Sequence, residues 1–249
     1  MNEKIKVLGV SINHYTAKEA MKKVMEYMET EPINVIEMVT MNTLSQLLNK
    51  EEKPYIDEFD LTFAGDKSIL EAAGVTDSKY LNEAKTLLFV KMVMRFLHKS
   101  HKKVFLLAED EEALSELREY VTGKYSGIVI SETATMEEHG KSDDMIVNRI
   151  NGAETDCIFA ALPSPLQEEV ILRNRTLLNA RIWFGMGTGL KERRRTGFGR
   201  RRLKASEWQG WRTDGAYLYI RCPLSSCQCD RYLHRCRQQD RKLHPCDGL

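Results

Sequence analysis

The chain has 249 residues, 42% of them hydrophobic and 29% charged, with a formal net charge of +1 at pH 7. That is enough apolar material for one domain of ordinary size with a sizeable core, and it excludes a chain disordered throughout. A mean hydropathy of −0.42, with no apolar run of about 18 residues, predicts no membrane-spanning helix; the opening MNEKIKVLGV lacks the basic start and long apolar stretch of a secretory signal, so a cytoplasmic chain is expected.

In chain order, short β-branched and aromatic runs alternate with amphipathic helical patterns. A strand is predicted over 5–13 (IKVLGVSIN), then a helix over 16–29 in which Ala20, Val24, Tyr27 and Met28 recur at three- and four-residue spacing. Thr16 followed by Glu19 has the form of a capping box, the hydroxyl and the carboxylate each taking a free backbone N–H. Further strands are predicted at 34–41, 59–64, 103–108, 127–133, 156–162 and 180–185, and helices at 43–50, 67–73, 79–99, 110–123, 142–151 and 166–178. This alternation predicts an α/β, Rossmann-like domain over 1–190, its mostly parallel sheet covered by helices on both faces.

Residues 191–249 are a different kind of sequence. Residues 1–190 carry 22 Lys and Arg against 30 Asp and Glu; the remainder carries 15 against 6, with 12 of the 15 arginine. Five of the six cysteines (Cys222, Cys227, Cys229, Cys236 and Cys246) fall there, while Leu, Ile, Val and Phe supply only 8 residues. A basic, poorly ordered appendage is expected. The cysteine spacing C-x4-C-x-C-x6-C lacks the paired knuckles of structural zinc sites. The joint shift in composition fits an ending read in an altered frame over 203–249.

In parallel sheets ligands bind beyond the carboxyl ends of the strands. The residues to inspect are therefore Thr40 and Asn42, Gly65 and Asp66, Ala108 and Glu109, the Pro163-Ser164-Pro165 run with Gln167 and Glu168, and Gly185-Met186-Gly187. Asp66 opens a helix, where a carboxylate either caps free N–H groups or serves as a general base. Thr40 and Asn42 either satisfy a local turn or bind a sugar hydroxyl or diphosphate oxygen. Gln167 and Glu168 open a helix whose N-terminus favours anions, or else belong to a rigid connector. The Gly185–Gly189 stretch resembles a phosphate loop but lacks the dinucleotide-binding register and comes last among the strands, which disfavours a dehydrogenase.

Several of these pieces, in this order, resemble the WecG/TagA/CpsF family of bacterial glycosyltransferases. They are VLGVSINHYTAKEA (7–20), VTMN (39–42), DLTFAGD (60–66), KVFLLAEDEEAL (103–114) and, most specifically, ALPSPLQEEVILRNR (161–175). The resemblance implies an inverting, metal-independent transferase with no cofactor. It would move an N-acetylated hexosamine, typically N-acetylmannosamine, from a UDP-sugar donor to a polyprenyl-diphosphate-linked acceptor. It also implies a protein peripheral to the inner face of the cytoplasmic membrane, serving teichoic acid or other surface polysaccharide synthesis. By the same resemblance Asp66 is the catalytic base, Thr40 and Gln167 bind substrate, Asn42 supports them, and Glu168 belongs to the same substrate-binding segment. Arg193, Arg194, Arg195 and Arg200 would contact lipid diphosphate or an anionic surface, where each charge contributes about 1 kcal/mol.

The sequence departs from the family pattern at Gly65 and Lys67, which flank the aspartate, and it has no arginine between Asp66 and Arg95. A second function class follows from that gap: a relative that holds a nucleotide-sugar or a partner without chemistry, unless Lys67, Lys79 or an arginine of the appendage replaces the missing one. Binding of nucleic acid through the arginine-rich end ranks last, because no RRM, KH or finger pattern is present. A homo-oligomer is compatible with the sequence.

Overall fold

The computed structural model describes residues 4–48, 56–137, 143–188, and the backbone of 212–213 and 216–217. The chain divides into two units, Met1–Arg200 and Arg201–Leu249. In the second, β9 (Arg212–Thr213) and β10 (Ala216–Tyr217) pair antiparallel. The expectations for Arg193, Arg194, Arg195, Arg200 and the late cysteines lie outside the described residues.

The first unit is built on six parallel strands, β3 (Asn34–Val39), β4 (Leu61–Ala64), β5 (Lys103–Ala108), β6 (Val129–Thr135), β7 (Cys157–Ala161) and β8 (Ile182–Gly185). Their order across the sheet is β4-β3-β8-β7-β5-β6. The middle strands are buried along their length, as continuous apolar runs such as CIFAA require. Successive side chains point to opposite faces. On one face Phe63 and Phe184 meet each other and Phe89, and Phe159 meets Phe184, with ring centroids 4.7–6.0 Å apart. On the other, Val35, Ile158 and Trp183 pack with Ile146, Ile150, Val170 and Ile171.

Those layers are supplied by helices α1 (Ala17–Tyr27), α2 (Met41–Leu48), α3 (Lys67–Ala72), α4 (Ser78–Thr86), α5 (Leu88–Lys99), α6 (Glu111–Thr122), α7 (Asp143–Gly152) and α8 (Leu166–Asn174). The expected capping box at the start of α1 is present: the Glu19 N–H donates to Thr16 Oγ1 at 3.3 Å, and Glu19 Oε2 accepts from the Thr16 N–H at 2.8 Å.

Two predicted elements are corrected. The strand over 5–13 is a hairpin, β1 (Lys4–Val7) and β2 (Val10–Asn13), which pair with each other outside the parallel sheet. Leu8 and Gly9 turn the chain with φ of 52° and 85°, the left-handed pair that a two-residue hairpin turn demands. The helix over 79–99 breaks into α4 and α5 at Leu87, whose φ is 50°. A smaller shift carries β6 to 129–135, because Gly127 and Ile128 belong to the preceding turn, where the Ile128 N–H donates to the Tyr125 carbonyl.

Chain order around the sheet sets the place for a ligand. From β5 the chain passes to β6 on one side; β7 returns on the other side of β5, and β8 continues away from it until it meets β3. Such reversals leave a crevice at the carboxyl ends of the central strands.

Candidate active site

At that edge β3 ends at Val39 and β4 at Ala64, and the next residues draw the two strand ends together. The Gly65 N–H donates to the Val39 carbonyl at 2.7 Å. A side chain at 65 would bring Cβ to 2.7 Å from Met38 Cγ and 2.8 Å from Thr40 Cγ2, so this close approach requires glycine.

Asp66 follows as the N-cap of α3. Its Oδ1 accepts from the Ile69 N–H at 3.3 Å and from the Ser68 hydroxyl at 2.6 Å, and its Oδ2 accepts from the Met41 N–H at 3.2 Å. The capping role therefore operates, and the bond to Met41 ties the carboxylate to the first residue of α2. Asp66 is half-buried at the carboxyl edge, held in one orientation from two elements.

Thr40 is buried immediately before α2, where its hydroxyl accepts from the Thr43 N–H at 3.1 Å and lies 3.0 Å from Thr43 Oγ1. The local-turn role thus also operates at Thr40. Asn42 lies inside α2 rather than at the strand end, in its first turn and exposed.

Gln167 and Glu168 sit in the first turn of α8, behind the Ser164–Pro165 cis peptide, and both are fully buried. The Gln167 carbonyl oxygen accepts from the Gly187 N–H at 3.1 Å and the Leu162 N–H at 3.4 Å, while its amide nitrogen donates to Glu37 Oε1. Glu168 Oε1 accepts from the Ser164 hydroxyl at 2.8 Å. Glu37 is 0% exposed in the middle of β3. Burial first, and then the nearby Glu168 carboxyl, push its pKa well above the usual carboxylate range, against a smaller downward pull from the Gln167 amide.

Sequence reasoning missed Glu37, although one signal was there: it interrupts the apolar face Ile33-Val35-Val39 of an otherwise buried strand. Gly185, the last residue of β8, and Gly187 after it have separate local reasons, one of packing and one of backbone conformation. A Cβ at Gly185 would collide with the Glu37 carboxyl, and Gly187 has φ of 57°.

A shallow cleft runs beside β4 and is lined by Asn13, His14, Tyr15, Thr62, Tyr80 and Glu83 among others. The His14 and Tyr80 rings lie 4.2 Å apart, and Glu83 Oε2 accepts from the Ala17 N–H at 2.7 Å. Reading 5–13 as one strand hid the fact that residues 13–15 leave a hairpin at this place. Asp66 follows Ala64, a lining residue, by two positions. Lys67 pairs with Glu71 on the exposed side of α3 at 2.8 Å.

Thr40, Asp66, Gln167 and Glu168 thus follow strands of one parallel sheet, and Thr40, Gln167 and Glu168 are buried while Asp66 is half-buried. The model of the glycosyl transferase WecG/TagA/CpsF family matches residues 5–191. The chain belongs to this family. It is also similar to the N-acetylglucosaminyldiphosphoundecaprenol N-acetyl-beta-D-mannosaminyltransferase of Staphylococcus aureus (strain MRSA252), at 21% identity over 194 residues, covering 76% of this chain and 74% of that protein. The matched span takes in every strand of the parallel sheet and both Asp66 and Gln167. As a member of the family the chain is a glycosyltransferase by descent. Among the described residues no helix is long and apolar enough to cross a membrane.

Proposed function

We propose that the chain transfers an N-acetylated hexosamine of the N-acetylmannosamine kind from UDP to a sugar carried on undecaprenyl diphosphate, at the inner face of the cytoplasmic membrane. One observation carries the chemistry: the Asp66 carboxylate is tethered at the carboxyl edge of the sheet by the Met41 and Ile69 N–H groups and the Ser68 hydroxyl. A general base needs that fixed placement, within about 3 Å of the proton it takes.

In this reading the acceptor hydroxyl gives its proton to Asp66 as its oxygen bonds to the anomeric carbon. The bond from that carbon to the UDP oxygen breaks on the opposite face, so one displacement inverts the centre. Charge grows on the departing diphosphate, and donors already aimed at it lower the barrier. Thr40, Asn42, Gln167 and Glu168 shape the donor side, and Arg193, Arg194, Arg195 and Arg200 engage the lipid diphosphate or the membrane surface.

The test is UDP release by the full chain, supplied with UDP-N-acetylmannosamine and undecaprenyl-diphosphate-linked N-acetylglucosamine. Turnover that falls at least 100-fold in Asp66→Asn is expected, the order of effect a positioned base contributes. Full turnover by that variant would remove Asp66 from the chemistry.

A second reading is a relative that binds a nucleotide-sugar or a partner without catalysis. It is favoured by the engagement of both Asp66 oxygens by donors from the first turns of α2 and α3. Calorimetric binding of UDP-sugars by a wild-type chain with no turnover would select it.

A further inference from the structure

The Gln167 amide is fixed by donor and acceptor logic alone. Two backbone N–H groups, of Leu162 and Gly187, point at one end of it, so that end is the carbonyl oxygen. The nitrogen therefore faces Glu37, whose Oε1 accepts from it. Leu162 follows β7, Gly187 follows β8 and Glu37 lies on β3, and these three strands are neighbours in the order β3-β8-β7. One side-chain amide thus ties the residues that follow β7 and β8 to Glu37 inside β3.

Glu37 is built into this arrangement. Its strand neighbours are Gly185 on β8 and Thr62 on β4, neither of them charged, and Gly185 has no Cβ because the Glu37 carboxyl fills that space. The titratable group facing it from α8 is Glu168, of like charge. Among the described residues its Oε2 has no hydrogen-bond partner. An ionised carboxylate would be very costly there, whereas a protonated carboxyl still accepts from the Gln167 amide through its carbonyl oxygen.

We propose that Glu37 is a positioning residue for the transfer reaction: it holds the Gln167 amide in one orientation, and through that amide it fixes the loops after β7 and β8 that rim the substrate site. The inference rests on the transferase reading above. It requires a hydrogen-bond acceptor at position 37, not a charge.

The experiment compares the full-length wild type, Glu37→Gln and Glu37→Leu in the UDP-release assay. Each protein's melting temperature is measured, together with the exchange rate of the Gln167 side-chain amide protons by NMR. Glu37→Leu should lower kcat at least tenfold at a melting temperature close to wild type, with faster exchange of the Gln167 amide. Glu37→Gln keeps a carbonyl acceptor and should recover turnover to within threefold of wild type, with slow exchange. If Glu37→Leu does not fold, the unbranched Glu37→Met takes its place.

An active wild type with Glu37→Leu equally fast would overturn the inference and leave the transferase reading standing. Equal damage in the Gln and Leu variants would also overturn it, because a charge rather than an acceptor would then be required. A folded wild type that turns over no donor would sink the transferase reading and this role with it. Exchange of the Gln167 amide that is equally slow in every variant would show that Glu37 does not hold it.

Discussion

Asp66 both caps α3 and stands where the proposed base must be, and two substitutions separate those roles. Asparagine caps a helix about as well as aspartate, so Asp66→Asn should keep the α3 cap while removing the base and the acceptor for the Met41 N–H, at a small loss of melting temperature. Asp66→Ala loses the cap as well and should cost about 1 kcal/mol of stability, read from denaturant unfolding. Equal stability losses in both would mean that the bond from the Met41 N–H, rather than the cap of α3, holds this corner. Glu37 makes a different kind of prediction. Burial and Glu168 raise its pKa in the folded state, so folding takes up a proton at this carboxyl. The stability that this uptake supplies is present below the unfolded pKa of about 4.3 and is lost as pH rises through the folded value. Glu37→Gln does not titrate. Its melting temperature should match wild type near pH 4 and exceed it progressively towards neutral pH; parallel curves across that range would show a solvated carboxyl at position 37.

At the scale of elements, the sequence was most legible where burial is uniform. Strand β5 lies where the run KVFLLA places it, because its side chains beyond Lys103 are all buried and an apolar run between polar residues has one interpretation. The hairpin and the α4/α5 break were not legible, and the reason is the same in both. Leu8 and Leu87 hold left-handed backbone, a conformation that leucine does not announce and that costs roughly 1–2 kcal/mol outside glycine, asparagine and aspartate. Leu87 is 7% exposed and is held there by packing. Leu8 is 52% exposed, so Leu8→Asn, which supplies the asparagine-glycine pair favoured in such turns, should raise stability by about 1 kcal/mol. An unchanged denaturation midpoint would mean that contacts of Leu8 offset its backbone cost. Gly65 is the opposite case. Gly65→Ala would press on Met38 and Thr40 at 2.7–2.8 Å and should cost about 1–3 kcal/mol, with a loss of UDP-sugar affinity if Thr40 shapes the donor site.

For the whole molecule, charge divides along the chain: the net acidic residues 1–190 carry the folded sheet, and arginines crowd the stretch after it. If those arginines engage the membrane, the full chain should sediment with vesicles containing anionic lipid at low salt and be released as salt rises, since screening shortens the reach of each charge to about 8 Å at physiological ionic strength. Co-sedimentation equal on neutral and anionic vesicles would end that role.

The sequence by itself determined the alternation of strands and helices, the parallel sheet, and the strand-end residues Thr40, Asp66 and Gln167, because periodicity and turn chemistry act over a few neighbouring residues. It could not determine which strand ends meet, or that the Gln167 amide would be held by Glu37, 130 positions away. A glutamate inside β3 looks solvent-facing until the sheet order places Gly185 and α8 against it. That partnership depends on which buried donor lacks an acceptor, and only the packed tertiary structure decides it.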